Sequence, residues 1–303
     1  MNNLRIIFMG TPEFAVAPLD ALVKAGFNIV GVITAPDKPA GRGMQLQQSA
    51  VKKYAAEHGL NVLQPEKLKN PQFLEELKAL NADLQVVVAF RMLPEAVWNM
   101  PRLGTINLHA SLLPQYRGAA PINWAVINGE KETGLTTFKL QHEIDTGNIL
   151  LQERLPIGND ETAGELHDRM KEAGAALVVK TVQGLAAGNL EGTPQANDAS
   201  LKAAPKIFTE TCKIDWTKSV DDIYNLIRGL SPYPAAFTYL DDKLLKIYKA
   251  SKEYATPSGK YESDGKTYLK FAAADGYISI KELQLEGRKR MNIGDFLRGY
   301  KLH

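Results

Sequence analysis

The sequence predicts an α/β protein, with a doubly wound, mostly parallel Rossmann-like sheet domain followed by a small OB-like β-barrel. Two observations favour this fold class. In the first half of the chain, short apolar runs alternate with helical patterns, as expected of a parallel sheet with crossover helices. After an aperiodic segment at residues 189–205, which contains Gly, Pro, Asn and Gln, short strand patterns separated by turn residues predominate.

Strands and helices alternate along the first half of the chain. Strands are predicted at residues 6–9, 29–33, 62–63 and 84–90, and helices at residues 15–25, 49–58 and 71–80. The run at 84–90 is apolar at six of its seven positions, which is typical of a strand buried on both faces. Another apolar run, at 103–108, precedes strand patterns at 136–140 and 149–155.

A long helix is predicted at residues 163–187. Thr162 is its expected N-cap, Glu165 occupies the capping-box position and Gly188 is expected at its C-terminal end. Beyond the aperiodic segment lie one helix pattern, at 220–229, and strand patterns at 237–240, 244–248, 268–271 and 277–285. We therefore expect one domain over residues 1–188, a linker over 189–205 and a second domain over 206–303.

Composition excludes several classes of protein. The single cysteine, Cys212, leaves neither an internal disulfide framework nor a cysteine cluster for zinc, so a reduced, cytoplasmic setting fits best. No apolar run approaches the roughly 18 residues of a membrane helix. Residues 1–205 hold 19 Lys and Arg against 21 Asp and Glu, whereas residues 206–303 hold 17 against 13. A basic second domain fits a polyanionic partner such as nucleic acid, and a solvated basic face fits it equally well.

Three polar residues stand out as candidates for acyl-group chemistry. Asn107 and His109 follow an apolar run, and residues i and i+2 of a strand point to the same face. Asp145, within a Glu-Ile-Asp-Thr-Gly segment, could stabilise an imidazolium at His109. Together they would supply an oxyanion donor, a proton carrier and a charge partner. Spacing alone leaves open that His109 is structural and that Asp145 only shapes a turn.

The sequence argues against two other kinds of site, a dinucleotide site and a metal site. The segment 10–14 follows the first strand but lacks the second and third glycines of a dinucleotide-binding turn, so a nicotinamide cofactor is not expected. His58, His142 and His167 do not have metal-ligand spacing with acidic neighbours, and no metal is expected.

The sequence motifs around these residues resemble those of the folate-dependent formyltransferases. The resemblance is carried by Asn-x-His-x-Ser-Leu-Leu-Pro at 107–114, Arg-Gly-Ala-Ala-Pro-Ile at 117–122 and Ile-Asp-Thr-Gly at 144–147. Further matching motifs lie at residues 5–14, 39–43 and 213–216, so the resemblance covers essentially the whole chain. The Ala-Gly-Arg-Gly loop and the basic second domain point to the branch of the family that acts on tRNA.

The resemblance implies transfer of a formyl group from 10-formyltetrahydrofolate to the α-amine of methionine on initiator tRNA. Asn107 would hold the oxyanion, His109 would move protons and Asp145 would orient and charge His109. The folate pocket would be lined by Ser111, Leu112, Leu113 and Pro114, and more loosely by Phe90 and Met92. Residues 1–188 would form the catalytic domain and residues 206–303 the tRNA-binding domain of a monomeric cytoplasmic enzyme.

Contacts to initiator methionyl-tRNA are expected from basic residues in two parts of the chain. Arg42 lies in the Pro- and Gly-rich segment at 36–43, a composition that ordinarily indicates a mobile surface loop. The resemblance implies that this loop enters the acceptor end of the tRNA, where the Arg42 guanidinium would contact it. Lys206 stands where the linker enters the second domain. Arg288, Lys289 and Arg290 form the densest basic cluster, which fits either a phosphate-tracking patch or a solvated turn.

Rival functions stay open at this point. The same chemistry could act on another amine, such as glycinamide ribonucleotide or an amino sugar, or serve a formyltetrahydrofolate hydrolase. A non-catalytic RNA-binding protein could also keep a degenerate domain of this family. The extra basic domain argues against the first group, and the intact set Asn107, His109 and Asp145 argues against the second.

Overall fold

The computed structural model describes residues 4–40, 45–196 and 200–302, and within these ranges seven strands form a mostly parallel sheet. In chain order, the elements of the first half are β1 (Arg5–Gly10), α1 (Val16–Lys24), β2 (Asn28–Ile33), β3 (Lys38–Ala40), β4 (Gln45–Gln47), α2 (Ala50–Glu57), β5 (Val62–Leu63), α3 (Pro71–Ala79), β6 (Leu84–Val88), α4 (Glu95–Trp98), β7 (Thr105–His109), β8 (Arg117–Gly118), α5 (Pro121–Ile127), β9 (Glu132–Lys139) and β10 (Ile149–Pro156). The helices between the parallel strands confirm the predicted α/β class.

The order of strands in this sheet creates a switch point beside β1. The order is β10-β9-β7-β6-β1-β2-β5, so the chain first builds outward from β1 on one side and later returns to the other side with β6. Strands β1, β2, β5, β6 and β7 pair in parallel, whereas β9 pairs with β7 in the antiparallel direction. In doubly wound sheets, ligands bind at the carboxyl ends of the strands near such a switch point.

The sheet is buried on both faces, as its sequence predicts. Every residue of β6 is buried, and so are the last five residues of β1. One of the apolar clusters on this sheet contains the buried residues Ile7, Met9, Ile33, Leu68, Phe73, Leu77, Val87 and Val97. Burial of this apolar area makes the main favourable contribution to the free energy that holds the sheet and helix α3 together.

The long helix has the predicted bounds. Helix α6 spans Ala163–Ala187, and its capping box is formed as predicted. The Glu165 amide donates to Thr162 Oγ1 at 3.2 Å, and Glu165 Oε2 accepts from the Thr162 amide at 2.8 Å. Gly188, with φ of +67°, ends the helix in the left-handed conformation that favours glycine.

The later elements are β11 (Ala203–Ala204), α7 (Thr209–Cys212), α8 (Val220–Leu230), β12 (Ala236–Leu240), β13 (Lys243–Glu253), β14 (Tyr261–Ser263), β15 (Leu269–Ala272), β16 (Tyr277–Leu285), β17 (Met291–Asn292) and α9 (Ile293–Arg298). Among them, β12 to β17 form a curled antiparallel half-barrel, and β11 pairs instead with β8. The strand order is β12-β13-β16-β15-β14, and β17 also pairs with β16. The apolar face of α8, including Ile223 and Ile227, belongs to the core of this sheet.

The chain divides into two compact units, each built from three segments. The first unit comprises Met1–Arg117, Gly134–Leu155 and Asp168–Ala203, and the second comprises Gly118–Thr133, Pro156–His167 and Ala204–His303. Helix α5 belongs to the second unit, where Asn123 Nδ2 donates to the carbonyl of Gly229 in α8 at 2.8 Å. The predicted boundaries at 188 and 206 stay a prediction.

Several short elements were not predicted. Within the segment predicted as a loop at 36–43, residues 38–40 form strand β3 instead, which pairs with β4 so that Lys38 lies opposite Gln47. Three-residue strands are too short to show a periodicity, so this pattern could not indicate them. The strand predicted at 84–90 ends at Val88, because Ala89 takes a φ of +47°. Among the described residues, no helix is long and apolar enough to cross a membrane.

The capping box of α6 generates a prediction about stability and pH. Replacement of Thr162 by Ala should destabilise the protein by about 1 kcal/mol at neutral pH. The backbone and hydroxyl hydrogen bonds from Thr162 lower the pKa of Glu165 from 4.5, so the carboxylate contributes stability above its unfolded pKa and loses it as pH falls. The Tm difference between wild type and Thr162→Ala should therefore shrink below about pH 4.5. A difference that grows toward acid would contradict this account.

Candidate active site

Strand β7 presents Asn107 and His109 on one face of the sheet. Val87 in β6 lies opposite Asn107, and Thr136 in β9 lies opposite His109. Asn107 is half-buried, and within the described parts of the chain its side chain makes no hydrogen bond. The side chain of His109, in contrast, is buried. The strand thus places an unengaged carboxamide two residues from a buried imidazole, as predicted.

Both ring nitrogens of His109 face oxygen atoms. Nε2 lies 2.9 Å from the backbone carbonyl oxygen of Tyr116, and Nδ1 lies 3.8 Å from Asp145 Oδ2. A carbonyl oxygen can only accept, so Nε2 carries the hydrogen and donates it to Tyr116. Nδ1 is therefore the nitrogen that faces the Asp145 carboxylate.

Asp145 is brought to His109 by the turn between β9 and β10. Its backbone takes a φ of +55°, in the left-handed region that few L residues adopt. Gly147 allows the same turn to pack tightly, because a Cβ at this position would lie 1.6 Å from the carbonyl oxygen of Lys139. Asp145 is 8% exposed and His109 7%, so solvent screens little of the interaction between the carboxylate and the imidazole.

The loop after β7 is held by one buried hydroxyl. Thr136 Oγ1 donates to the Ser111 carbonyl at 2.7 Å and accepts from the Leu113 amide at 3.1 Å. Gln152 Nε2 donates to the same hydroxyl and to the Leu113 carbonyl, both at 2.9 Å. The loop is therefore fixed at its centre by a residue of the neighbouring strand.

The predicted folate-pocket residues of this loop differ in their accessibility. Ser111 is fully buried and its hydroxyl donates to the Gln115 carbonyl at 2.6 Å, and Leu113 is buried as well. Leu112 and Pro114 are half-buried and so have surface for a ligand to contact. In this geometry Ser111 and Leu113 shape the loop, while Leu112 and Pro114 can form a pocket wall.

Phe90 and Met92 follow β6 at the switch point of the sheet. Phe90 is half-buried and packs against the apolar cluster under the sheet, whereas Met92 is 73% exposed. The intervening Arg91 donates to the backbone carbonyls of Pro65 and Glu66, and burial lowers its pKa. These bonds fix the loop that carries both apolar side chains.

The hairpin of β3 and β4 has a polar anchor at its base. Asp37 accepts from Lys52 Nζ at 2.5 Å and from Gln64 Nε2 at 2.8 Å. These hydrogen bonds lower the pKa of Asp37, with that from Lys52 contributing most. Arg42, predicted as a tRNA contact, lies outside the described residues.

The other predicted tRNA contacts are exposed, but their charges are not equally available. Lys206 Nζ lies 5.6 Å from the centre of the Phe208 ring. Arg290 forms two bonds to the Glu282 carboxylate, and Arg288 donates to the Gly299 carbonyl. Lys289 has no ion-pair partner within residues 4–40, 45–196 and 200–302.

The same ranges contain no group of three or more His, Cys, Asp or Glu residues placed to hold a metal ion.

Comparison with known proteins places the chain in a family. A sequence model described as formyl transferase matches residues 4–182, and one described as formyl transferase, C-terminal domain, matches residues 206–301. The chain belongs to the formyl transferase family. The first match contains Asn107, His109 and Asp145.

Similar proteins align with this formyl transferase along almost its whole length. A methionyl-tRNA formyltransferase of Parabacteroides distasonis is 59% identical, over 99% of this chain and 97% of the relative. A methionyl-tRNA formyltransferase of Flavobacterium johnsoniae is 54% identical, with the same two coverages.

A solved structure shares the fold of this formyl transferase at lower identity. A sugar 3N-formyl transferase, solved in the presence of dTDP and 5-N-formyl-THF, superposes with a TM-score of 0.70 at 21% identity. The match covers 94% of this chain and 99% of that one.

Sequence reasoning missed two contributors to the site, the Tyr116 carbonyl and the Thr136 hydroxyl. The first is a backbone atom, which no residue type identifies. The second belongs to a predicted strand, at residues 136–140, but nothing in that pattern indicates a role as a hydrogen-bond hub.

The Thr136 hydroxyl generates a prediction for the site. Thr136→Val should destabilise the protein by roughly 1–3 kcal/mol, because the Leu113 amide and one Gln152 donor lose their buried acceptor. Thr146→Val, which removes a hydroxyl from an exposed hydrogen bond to Gln141, is a matched control and should cost less. Urea unfolding of both variants measures the difference. Equal effects of the two substitutions would contradict the role of Thr136.

Proposed function

We propose that this chain transfers a formyl group from 10-formyltetrahydrofolate to the α-amine of methionine esterified to initiator tRNA. The proposed setting is the cytoplasm and the proposed state is a monomer. The observation that carries this proposal is the arrangement of Asn107, His109 and Asp145 around one face of β7. It is supported by relatives named methionyl-tRNA formyltransferase that align with 99% of the chain.

In the proposed reaction, Asn107 stabilises the charge that develops on the formyl oxygen. The methionine amine forms a bond to the formyl carbon, whose oxygen takes on negative charge in the tetrahedral intermediate. The free carboxamide of Asn107 can donate to that oxygen without breaking an existing bond, so little reorganisation is needed. Collapse of the intermediate breaks the bond between the formyl carbon and N10 of the folate.

In this scheme, His109 transfers the protons and Asp145 stabilises its charged form. The attacking amine must lose a proton, and the departing N10 must gain one. Nδ1 of His109 can take up the first proton and deliver the second, because Nε2 stays bonded to the Tyr116 carbonyl throughout. The Asp145 carboxylate stabilises the imidazolium while it exists, in the manner of a charge partner in general acid–base catalysis.

The folate is assigned to the carboxyl ends of β6 and β7. Apolar surface is available there from half-buried Leu112 and Pro114 on one loop and from half-buried Phe90 and exposed Met92 on another, which suits a flat pterin ring. The solved relative with 5-N-formyl-THF has the same fold, which supports a folate site in this chain.

The tRNA is assigned to Arg42, which lies outside the described residues, and to basic residues of the second unit. Lys206 and Lys289 are exposed cations that can contact phosphate. Arg288 and Arg290 remain candidates, but their existing bonds to Gly299 and Glu282 would have to be shared with or exchanged for phosphate.

The decisive assay compares amine acceptors at one concentration of 10-formyltetrahydrofolate. Initiator methionyl-tRNA should be formylated, whereas the same tRNA without methionine, methionine methyl ester and a dTDP-linked amino sugar should not react appreciably. Faster reaction with the amino sugar than with the charged tRNA would replace the proposed substrate with the class named for the solved sugar formyl transferase. Absence of transfer to any acceptor would overturn the enzymatic function.

The role of Asp145 can be tested by Asp145→Asn, which keeps the shape of the side chain and removes its charge. We expect kcat to fall by roughly 10²–10⁴-fold with little change in KM for tRNA. Glu143→Gln is a matched control, because Glu143 is an exposed carboxylate of the same turn. Loss of tRNA binding with kcat preserved at saturation would show that Asp145 does not act in proton transfer.

The electrostatic part of tRNA binding can be tested by varying salt. Affinity should fall as salt rises, and Lys206→Ala or Lys289→Ala should each reduce the slope of log affinity against log salt by about one. Lys78→Ala, which removes an exposed lysine from α3, should leave the slope unchanged. An affinity that does not respond to salt would remove the basic residues of the second unit from the tRNA site.

A further inference from the structure

Gln195 lies in the segment that the sequence predicts as a linker, yet its side chain contacts the turn that carries Asp145. Its Nε2 donates to the backbone carbonyls of Asp145 and Gly147, both at 2.8 Å. Its Oε1 accepts from Arg117 Nε at 3.1 Å and from the terminal guanidinium nitrogen at 2.6 Å. Both hydrogens of the amide and its oxygen are therefore engaged.

The segment that carries Gln195 is itself attached to the first unit by backbone hydrogen bonds. Thr193, two residues earlier, exchanges two bonds of 2.8 Å with Ile149, the first residue of β10. Further along, the Lys202 carbonyl accepts from the amide of Tyr116. Gln195 is thus held between two points where its segment is fixed, next to the turn and the loop of the active site.

These contacts close a ring around His109. One nitrogen of His109 donates to Tyr116, whose neighbour Arg117 binds Gln195, and Gln195 binds the carbonyl of Asp145, whose carboxylate faces the other nitrogen. Tyr116 and Asp145 both have positive φ, at +58° and +55°. Such conformations cost on the order of 1–3 kcal/mol each and persist only where surrounding contacts hold them.

We propose that Gln195 is a positioning residue, which holds the Asp145 backbone so that its carboxylate faces His109 Nδ1. The role rests on the proposed function, because it serves the proton transfer assigned to His109. Gln195 acts through the orientation of one peptide group. Its amide donates one hydrogen bond to the Asp145 carbonyl and one to the Gly147 carbonyl. Without these two restraints, the turn could relax toward an ordinary φ and withdraw the carboxylate.

The kinetic test uses the full-length chain with Gln195→Leu, which keeps the length of the side chain and removes both polar groups. We expect kcat for formyl transfer to fall roughly ten- to a hundredfold, with KM for both substrates unchanged. Gln72→Leu is the matched control and should have no effect. It removes an exposed side-chain amide that donates a hydrogen bond to Glu76 on α3. Arg117→Leu should give a smaller loss in the same direction, because it frees the Gln195 oxygen only.

A double-mutant cycle separates positioning from general support of the fold. In the Asp145→Asn background, Gln195→Leu should change kcat by less than about twofold, because its effect passes through the carboxylate already removed. If Gln195 only supports the fold, its effect will multiply with that of Asp145→Asn, and that result would overturn the proposal.

A spectroscopic test needs no activity. The chain has five histidines, and the ¹⁵N signals of His109 can be assigned with His109→Gln. Gln195→Leu should shift the Nδ1 signal of His109 in the absence of substrates, whereas Gln72→Leu should not. An unshifted signal would overturn the positioning role. A shifted signal in a chain that formylates no acceptor would keep that role and reject only the proposed function.

Discussion

The hydrogen bond from His109 Nε2 to the Tyr116 carbonyl is the constraint on which the rest of the site depends. Because a carbonyl oxygen can only accept, Nε2 is the donor of this bond and Nδ1 is left facing Asp145. The proton transfer proposed for His109 would therefore take place at Nδ1. The β9–β10 turn has the length and close packing that bring Asp145 to this nitrogen.

A second constraint is that Asn107 and His109 form a polar face on β7, whereas the residues that support this face are buried. Strand β7 is flanked by strands with almost wholly buried residues, so the strand itself has little freedom to move. The loops beyond it would have more freedom, but buried or half-buried hydrogen bonds restrict them. Thr136 restrains the loop after β7, and Gln195 restrains the turn that holds Asp145. Rigid placement of this kind favours reactions in which charge develops at a known point.

The sequence predicted the architecture well where signals are local or repeated. The bounds of α6 were correct because a capping box and a terminal glycine mark them directly. Strand β6 was recognised from its unbroken apolar run, although the left-handed Ala89 ended it two residues early. The three-residue strands of the β3–β4 hairpin lie below the length at which alternation can be seen. For α5, Pro121 at the start of the helix was an available signal.

The sequence indicated the candidate groups of the site and not the contacts that support them. Asn107 and His109 share a face because of the period of a strand, and Asp145 was proposed as a charge partner for His109, with support from a family resemblance. The contacts that hold these groups involve the backbone carbonyls of Tyr116, Asp145 and Gly147. Every residue has a carbonyl, so its use in a particular bond follows from the folded path of the chain and leaves no mark in residue type.

The positive φ of Asp145 also narrows the residues that this position can accept over evolution. Asp and Asn tolerate the left-handed conformation better than other side chains, whereas bulky and β-branched residues do not. A change to Glu would keep the charge but would lose this tolerance and lengthen the side chain in a buried space. A change to Asn would keep the backbone and lose the charge. Backbone geometry and charge together therefore select Asp, so nearly every substitution at this position has a cost in conformation or in charge.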